Sequence, residues 1–322
     1  MTTAKYAKIT GTGGYLPTQV FSNADWEKRV DTSDAWIISR TGIHSRHVAQ
    51  AHETASYMGS QAAQAALDWA DYPAASVEMI IVATATPDKI FPATACLIQK
   101  KLGIPECIAF DIQAACTGFV YALSIADQYI RSGTVKSALV IGSELMTRTV
   151  DWSDRSTCVL FGDGAGAVLL QASESPGVLS TDLYAQGAYD EVLYIDNAFA
   201  EEGSHSKHFL KMEGQKLFKI AVTKLAEMIP VILAKHNLTA DQIDWLIPHQ
   251  ANLRIIRSTA DKLGFSMDKV VCTVATHSNT SSASIPLALD VAVRDGRIKP
   301  GQILLFEAIG GGLTWGSALV KF

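Results

Sequence analysis

Two stretches of the chain carry one pattern: Cys116-Thr-Gly-Phe-Val-Tyr-Ala-Leu-Ser-Ile-Ala-Asp-Gln-Tyr-Ile-Arg-Ser-Gly133 and Asn279-Thr-Ser-Ser-Ala-Ser-Ile-Pro-Leu-Ala-Leu-Asp-Val-Ala-Val-Arg-Asp-Gly296. Both are apolar runs of equal length that predict a helix, and a short basic turn and a strand follow each. Each half later reaches a glycine-rich turn that enters a final strand, at 161–168 and at 310–317. The repeated order predicts a duplicated unit.

Strand-like and helix-like segments alternate around these runs. Buried strands are predicted at 77–84, 137–142, 243–248 and 302–307, and helices at 53–70 and 215–236. Such alternation is typical of layered α/β folds with crossover connections. We therefore predict two pseudo-duplicated α/β halves, 1–175 and 176–322, with extra material in the first half between Glu144 and Phe161.

Composition excludes several classes of function. The chain has 322 residues, 48% hydrophobic and 18% charged, and a formal net charge of -5, without a basic run typical of a nucleic-acid binder. The N-terminus lacks the pattern of a signal peptide, and no apolar stretch is long enough to span a bilayer, so we expect a cytoplasmic protein. The five cysteines are widely spaced without a CxxC pair, which disfavours disulfides and a zinc site.

Three side chains suit nucleophilic catalysis. Cys116 and Asn279 open equivalent helices, so pseudo-symmetry would bring them together, and His249 follows a buried strand, where α/β proteins place their chemistry. A helix N-terminus would favour the thiolate of Cys116 and offer N–H groups to an oxyanion, with a second N–H from the run Gly310-Gly-Gly312. Each residue alone has a plainer interpretation: a packed thiol, a structural histidine and an N-cap.

The flanking motifs resemble one family, β-ketoacyl-acyl-carrier-protein synthase III. They are Ala114-Ala-Cys116-Thr-Gly-Phe, Pro248-His249-Gln-Ala-Asn252, His277-Ser-Asn279-Thr-Ser, the N-terminal Asp31-Thr-Ser-Asp-Ala-Trp36-Ile-Ile-Ser-Arg40-Thr-Gly-Ile and the C-terminal Gly310-Gly-Gly-Leu-Thr-Trp-Gly-Ser. They cover essentially the whole chain in the family's order. The resemblance implies the thiolase fold, with two α/β halves in a five-layered αβαβα arrangement, and a homodimer.

The resemblance also implies the reaction. A short acyl group, typically acetyl, moves from coenzyme A to Cys116, and the enolate of decarboxylated malonyl-acyl carrier protein attacks it. The products are 3-ketoacyl carrier protein, CO₂ and coenzyme A, at the start of fatty acid biosynthesis. His249 and Asn279 would bind the malonyl thioester oxygen, and the backbone N–H groups of Cys116 and Gly311 would hold the acyl oxyanion. No metal and no cofactor beyond the coenzyme A thioester is expected.

Binding residues follow from the same resemblance. The coenzyme A contacts are expected at Thr32, Trp36, Arg40, Arg155, Ser156, Met212, Gln215, Phe218 and Asn252. Carrier-protein docking is expected at Lys219, Gln250, Ala251, Asn252, Leu253, Arg254 and Lys262. For Lys219, Arg254 and Lys262 a solvated helix face is the plainer interpretation. Phe91 would reach the partner subunit's acyl pocket, and Met146 would line the wall of that pocket.

Departures from the family pattern leave the acyl-chain preference open. Ser156 replaces a frequent glycine, Gln215 replaces an asparagine, and Ile309 and Leu313 stand where phenylalanine is frequent. Alternatives are a specialised condensing enzyme of secondary metabolism and a non-catalytic acyl-coenzyme-A-binding paralogue. A dinucleotide-binding oxidoreductase is disfavoured because the glycine clusters near Gly11 and Gly162 lack the required spacing.

Overall fold

Two β-sheets with helices on both faces make up residues 6–197 and 208–322, the part of the chain that this computed structural model describes. The strands are β1 Tyr6–Tyr15, β2 Val20–Ser22, β3 Ser45–His47, β4 Met79–Ala83, β5 Ile108–Ile112, β6 Ser137–Leu145, β7 Asp163–Ser173, β8 Val178–Ala185, β9 Leu193–Tyr194, β10 Lys211–Met212, β11 Trp245–Pro248, β12 Ile303–Gly310 and β13 Thr314–Lys321. The helices are α1 Asn23–Glu27, α2 Asp34–Thr41, α3 Ala55–Trp69, α4 Thr94–Lys101, α5 Gly118–Arg131, α6 Gly214–Lys235, α7 Leu253–Leu263, α8 Val274–His277 and α9 Ser284–Arg294.

The two large sheets repeat one strand order. The first runs β1-β7-β6-β4-β5 and the second β8-β13-β12-β11. In both, the first two pairings are antiparallel and the third is parallel. A parallel bridge between Leu246 and Val270 stands where the first sheet has β5. This confirms the prediction of two pseudo-duplicated α/β halves.

Helices α5 and α9 lie between the sheets, while α3 and α4 cover the outer face of the first sheet and α6 and α7 that of the second. Phe119 and Leu123 of α5 and Ile285 and Leu289 of α9 are buried in one core with strands from both sheets. Because β4 is covered on both faces, all five of its residues are apolar and buried. The result is the five-layered αβαβα arrangement of the thiolase fold that the family resemblance implied.

The register of the duplication differs from the predicted one. The left-handed residues Ala115 and Ser281, with φ of 46° and 51°, each open a 3₁₀ turn, and α5 and α9 follow. Their interval along the chain equals that between Val77 and Ile243. The structural counterpart of Cys116 is therefore Ser282. Pairing Cys116 with Asn279 was wrong because it aligns the two helices at their C-terminal ends, Arg131 and Arg294, although α9 has 11 residues and α5 has 14. With Cys116 opposite Ser282, both helices begin at equivalent residues, Gly118 and Ser284.

The predicted strands and helices lie where they were expected, with ends shifted by a few residues. The helix predicted at 53–70 is α3, capped by the side chain of Thr54, and the helix predicted at 215–236 is α6. The two sheets divide between β7 and β8. The domain limits 1–175 and 176–322 stay a prediction.

Candidate active site

Cys116 lies in the 3₁₀ turn Ala115–Thr117, between β5 and α5. It is buried, with 6% of its surface exposed, and lines a cavity of about 1420 Å³. The start of α5 packs closely against β4, since a Cβ on Gly118 would lie 2.9 Å from the Cβ of Ala83. The first helical residue is Gly118, so the expectation that Cys116 itself opens an α-helix was wrong by one short turn.

The ionisation of Cys116 also differs from the expectation. Burial raises the pKa of its thiol to about 12; a hydrogen bond with the Ser281 hydroxyl opposes the rise and the nearby Glu144 carboxyl adds to it. The resting group is therefore a thiol at neutral pH, and the predicted preference for the thiolate was wrong. Withdrawal from water is the largest contribution to this rise.

His249 follows β11 and is fixed by Ser284 at the start of α9. The Ser284 Oγ accepts the Gln250 N–H at 3.2 Å and lies 2.6 Å from His249 Nδ1. The Ser284 hydroxyl can donate to Nδ1, and in that tautomer the imidazole proton lies on Nε2. Burial lowers the pKa of His249 to about 3, so the ring is neutral. In this tautomer Nε2 is a hydrogen-bond donor.

Asn279 is held by its backbone and by its side-chain oxygen. Its N–H donates to Leu160 O at 3.0 Å, and Gly162 N–H donates to Asn279 O at 3.1 Å. Its Oδ1 accepts the Ser281 N–H at 2.9 Å. The Nδ2 amide is therefore the part of the side chain left to a ligand in the cavity that Asn279 lines with Cys116 and His249.

The glycine run meets the nucleophile turn at Gly310. A Cβ on Gly310 would lie 2.6 Å from the backbone N of Cys116, whereas one on Gly311 would lie 2.9 Å from Leu193 O. Thr314 Oγ1 donates to Ala114 O at 3.0 Å and ties β13 to the same turn. Sequence reasoning chose Gly311 and did not single out Gly310, although the repeated glycines were the signal.

Most of the residues expected to contact coenzyme A line the cavity: Trp36, Arg40, Ser156, Met212, Gln215, Phe218 and Asn252. Arg155 and Thr32 are not part of the lining. The Arg155 guanidinium carbon lies 5.3 Å from the centre of the Trp36 ring. The family resemblance implies that these two side chains sandwich the adenine of coenzyme A. The distance leaves no room for a base between them, so binding in this way requires Arg155 to move away.

The acyl-pocket residues lie in different places. Met146 is buried and lines the cavity. Phe91 is 83% exposed and lies outside the cavity of its own chain. Its insertion into the pocket of a partner subunit stays a prediction.

One residue of the expected docking set cannot meet a partner. Gln250 is fully buried: its Nε2 donates to Pro248 O and Val271 O, and its Oε1 accepts from Thr273 N–H and Val274 N–H. Its amide joins two loops behind His249, so the prediction that it contacts the carrier protein was wrong.

The other docking residues lie around the cavity or on α7. Lys219, Ala251, Asn252 and Arg254 line the cavity, and the Arg254 guanidinium lies 5.5 Å from the Phe218 ring centre. Leu253 is half-buried against Gly42, and Lys262 is exposed on α7. Their contact with a carrier protein stays a prediction.

Ser281, Ser284 and Glu144 also belong to the site, and sequence reasoning did not find them. Glu144 lies in β6, fully buried, and its carboxylate accepts the Ser281 hydroxyl at 3.0 Å. The signal for Ser281 is the left-handed turn that it shares with Ala115 in the other half, which only the structure shows. Within the described residues, no group of three or more His, Cys, Asp or Glu is placed to hold a metal ion. No helix in the same part of the chain is long and apolar enough to cross a membrane.

The chain is similar to known proteins of one family. Residues 110–187 match the family model described as 3-oxoacyl-[acyl-carrier-protein (ACP)] synthase III, and residues 233–322 match its C-terminal model. A curated relative from Escherichia coli (strain K12), named beta-ketoacyl-[acyl-carrier-protein] synthase III, is 57% identical over 317 residues, which cover 98% of this chain and 100% of the relative.

Solved structures of similar proteins superpose over nearly the full length. The 3-oxoacyl-[acyl-carrier-protein] synthase III of Aquifex aeolicus VF5 has a TM-score of 0.94 at 48% identity and covers 98% of this chain and 100% of that one. The priming β-ketosynthase of the R1128 polyketide pathway also reaches 0.94, at 35% identity, and covers 98% of this chain and 96% of that one.

Proposed function

The chain belongs to the β-ketoacyl-acyl-carrier-protein synthase III family, and from that membership we propose how its residues perform the family's reaction. It is a condensing acyltransferase of fatty acid biosynthesis that joins an acyl group to a malonyl-derived unit. The observation that supports the site assignment most is that Cys116, His249 and Asn279, distant in sequence, line one cavity. A role in a polyketide pathway has weaker support, at 35% identity against 57%.

Acyl transfer is the first step. Acyl-coenzyme A, in the first place acetyl-coenzyme A, brings its thioester carbon to the Sγ of Cys116, and the C–S bond to coenzyme A breaks as the new one forms. The developing oxyanion is stabilised by the backbone N–H groups of Cys116 and Gly311, since donors aimed at developing charge lower the barrier. The bare backbone of Gly310 beside Cys116 N supports access of a carbonyl oxygen to that N–H.

Condensation is the second step. His249 Nε2–H and Asn279 Nδ2–H donate to the thioester oxygen of malonyl-acyl carrier protein, so that negative charge on this oxygen is stabilised as CO₂ leaves. The enolate carbon then attacks the acyl carbon, the bond from that carbon to the Cys116 Sγ breaks, and the released thiolate takes a proton from water to restore the thiol. A neutral imidazole is suited to this role, because it donates without first being protonated. We expect no metal or cofactor, with coenzyme A entering only as the carrier of the substrate.

The side chains around the opening of the cavity suit coenzyme A and the acyl carrier protein. Aromatic and guanidinium planes at Trp36 and Arg155 suit an adenine ring once they separate. Exposed cations at Lys219, Arg254 and Lys262 suit an acidic carrier protein.

We also expect a homodimer that acts in the cytoplasm. The edge strand β5 exposes Ile108 to 37%, and Ile90 and Phe91 are exposed to 70% and 83%. An open strand edge beside exposed apolar side chains is typical of a protein interface. A second copy on this edge would bring Phe91 towards the partner's cavity.

Intact-protein mass spectrometry tests the proposal. After incubation with acyl-coenzyme A of graded chain length, the protein should gain one acyl mass, which Cys116→Ala abolishes. Added malonyl-acyl carrier protein should remove that mass and yield 3-ketoacyl carrier protein. His249→Ala and Asn279→Ala should slow the second step by ~10²-fold or more and largely spare the first. Equal loss of both steps would refute this division of roles.

A further inference from the structure

Glu144 and Gly310 occupy equivalent positions in the two halves of the molecule. The interval along the chain that relates Ala115 to Ser281 also relates Glu144 to Gly310, and the strands that carry them, β6 and β12, have equivalent places in their sheets. Gly310 lies against the turn of Cys116, where a Cβ would come 2.6 Å from the Cys116 N. At the same position of the other half the chain has a carboxylate instead of a bare backbone.

The Glu144 carboxylate is fully buried and joins two segments of the chain. Its Oε1 accepts the Ser281 hydroxyl at 3.0 Å and lies 2.9 Å from the Ser282 Oγ. Its Oε2 accepts the Ala85 N–H at 3.1 Å and the Thr86 hydroxyl at 2.7 Å. One oxygen therefore holds the turn at Ser281, and the other holds the loop that follows β4. Burying a carboxylate is costly unless it has such partners.

The turn at Ser281 has a conformation that its surroundings must impose. Its φ of 51° lies in the left-handed region, which a serine seldom adopts without support. Gly142, two residues before Glu144 on β6, packs so closely against this turn that a Cβ there would overlap Ser282 O. Close packing at Gly142 and hydrogen bonds to Glu144 therefore hold the turn from the same strand.

This turn orients the side chain of Asn279. The Ser281 N–H donates to Asn279 Oδ1 at 2.9 Å. Because Oδ1 is bound in this way, the Nδ2 amide is the group left for the cavity that Asn279 lines with Cys116 and His249. A rotation of the Ser281 backbone would release Oδ1, and the direction of Nδ2 would no longer be fixed.

We propose that Glu144 is a positioning residue for condensation, which fixes through Ser281 the direction in which Asn279 donates. The carboxylate holds the strained turn, the turn holds Asn279 Oδ1, and Nδ2 faces the malonyl thioester oxygen. The proposal rests on the proposed function, in which Asn279 stabilises the enolate. The two halves thus use one strand position differently, for support at Glu144 and for access to a backbone N–H at Gly310.

Single-turnover rates of acylation and condensation in the full-length enzyme, followed by rapid quench and mass spectrometry, test this role. Ser281→Ala removes the hydroxyl that Glu144 holds and keeps the N–H that binds Asn279. In Glu144→Gln the amide oxygen must face the Ala85 N–H, so the amide nitrogen faces the Ser281 hydroxyl, which can no longer donate. Asp127→Asn is the matched control, because this carboxyl group is also buried but lies on α5, outside the cavity lining.

Both test variants should slow condensation by ~10-fold or more, since a small misplacement of a donor is costly, whereas acylation by acetyl-coenzyme A stays within about threefold. In an Asn279→Ala background neither substitution should slow condensation further, because the donor on which Glu144 acts is absent. Asp127→Asn should change each rate by less than about threefold in both backgrounds.

A merely structural role of Glu144 predicts another pattern. Normal condensation in both test variants would overturn the proposal, as would equal losses in acylation and condensation, or a further loss of the same size in the Asn279→Ala background. If Glu144→Gln does not fold, Ser281→Ala decides alone, because it leaves the carboxylate in place. Normal condensation in Asn279→Ala by itself is a different result, which would contradict the roles assigned under the proposed function.

Discussion

Ser284 is the hydrogen-bond partner of His249 Nδ1. Its hydroxyl oxygen accepts the Gln250 N–H and lies 2.6 Å from His249 Nδ1. When the hydroxyl donates to Nδ1, the ring donates from Nε2 and can stabilise an enolate, whereas the other tautomer presents a lone pair to the same oxygen. The role that we propose for His249 therefore depends on the tautomer that Ser284 supports.

Ser284→Ala should slow condensation by ~10²-fold, because His249 loses the partner that keeps its proton at Nε2. Acylation of Cys116 should change much less, since His249 acts only on the malonyl thioester. The two steps are measured separately by rapid quench and mass spectrometry. A normal condensation rate in Ser284→Ala would show that the backbone alone orients the ring.

The β12–β13 turn acts on the site as an element. It brings Gly310 against the Cys116 N–H and Thr314 against Ala114 O, so the second half of the chain closes over the nucleophile turn of the first. Close backbone approach of this kind needs a residue without a Cβ.

Gly310→Ala should therefore both destabilise the fold and block the Cys116 N–H. The added Cβ would lie 2.6 Å from Cys116 N, so strands must shift, at a cost of about 1–3 kcal/mol. Acylation should fall by ~10²-fold. Gly187→Ala is the control, because a Cβ there meets nothing within 4 Å. Thermal melting and acylation rates check the pair, and equal behaviour of the two variants would contradict the close contact.

At the scale of the whole molecule, the first sheet ends on one side at β5, a strand of five residues. Within the described residues β5 pairs only with β4, and Ile108 on it is partly exposed. At the corresponding position of the second sheet the described residues have the bridge at Val270. The open edge at β5 is where we expect a second copy to add strands.

Ile108→Lys should convert dimers to monomers, since a charge on an open edge opposes strand pairing. Val231→Lys is the control, because Val231 is also exposed and apolar, at 45%, but lies on α6. Sedimentation velocity at micromolar concentration measures both. A monomeric wild type, or dissociation by both variants, would contradict an interface at β5.

Local pattern was enough for the elements and the nucleophile. The period of apolar residues predicted α3, α6 and the central strands. The motifs around Cys116, His249 and Asn279, which occur in the family's order, indicated one family. Local pattern did not predict the register of the duplication. Asn279 has the sequence features of a helix start, but the 3₁₀ turn before α9 begins at Ser281, and the positive φ of that residue is known only from the structure.

The sequence by itself therefore determined the duplicated α/β fold, the order of its elements and the three side chains that we propose for the reaction, because these follow from short-range period and from motif. The tertiary structure alone decided the rest. Burial sets the charge of Cys116 and His249, and close packing of distant segments places Glu144, Ser281, Ser284 and Gly310 around them. Desolvation and hydrogen bonding depend on which atoms surround a group and exclude water from it. These atoms belong to residues far apart in the chain, which come together only on folding.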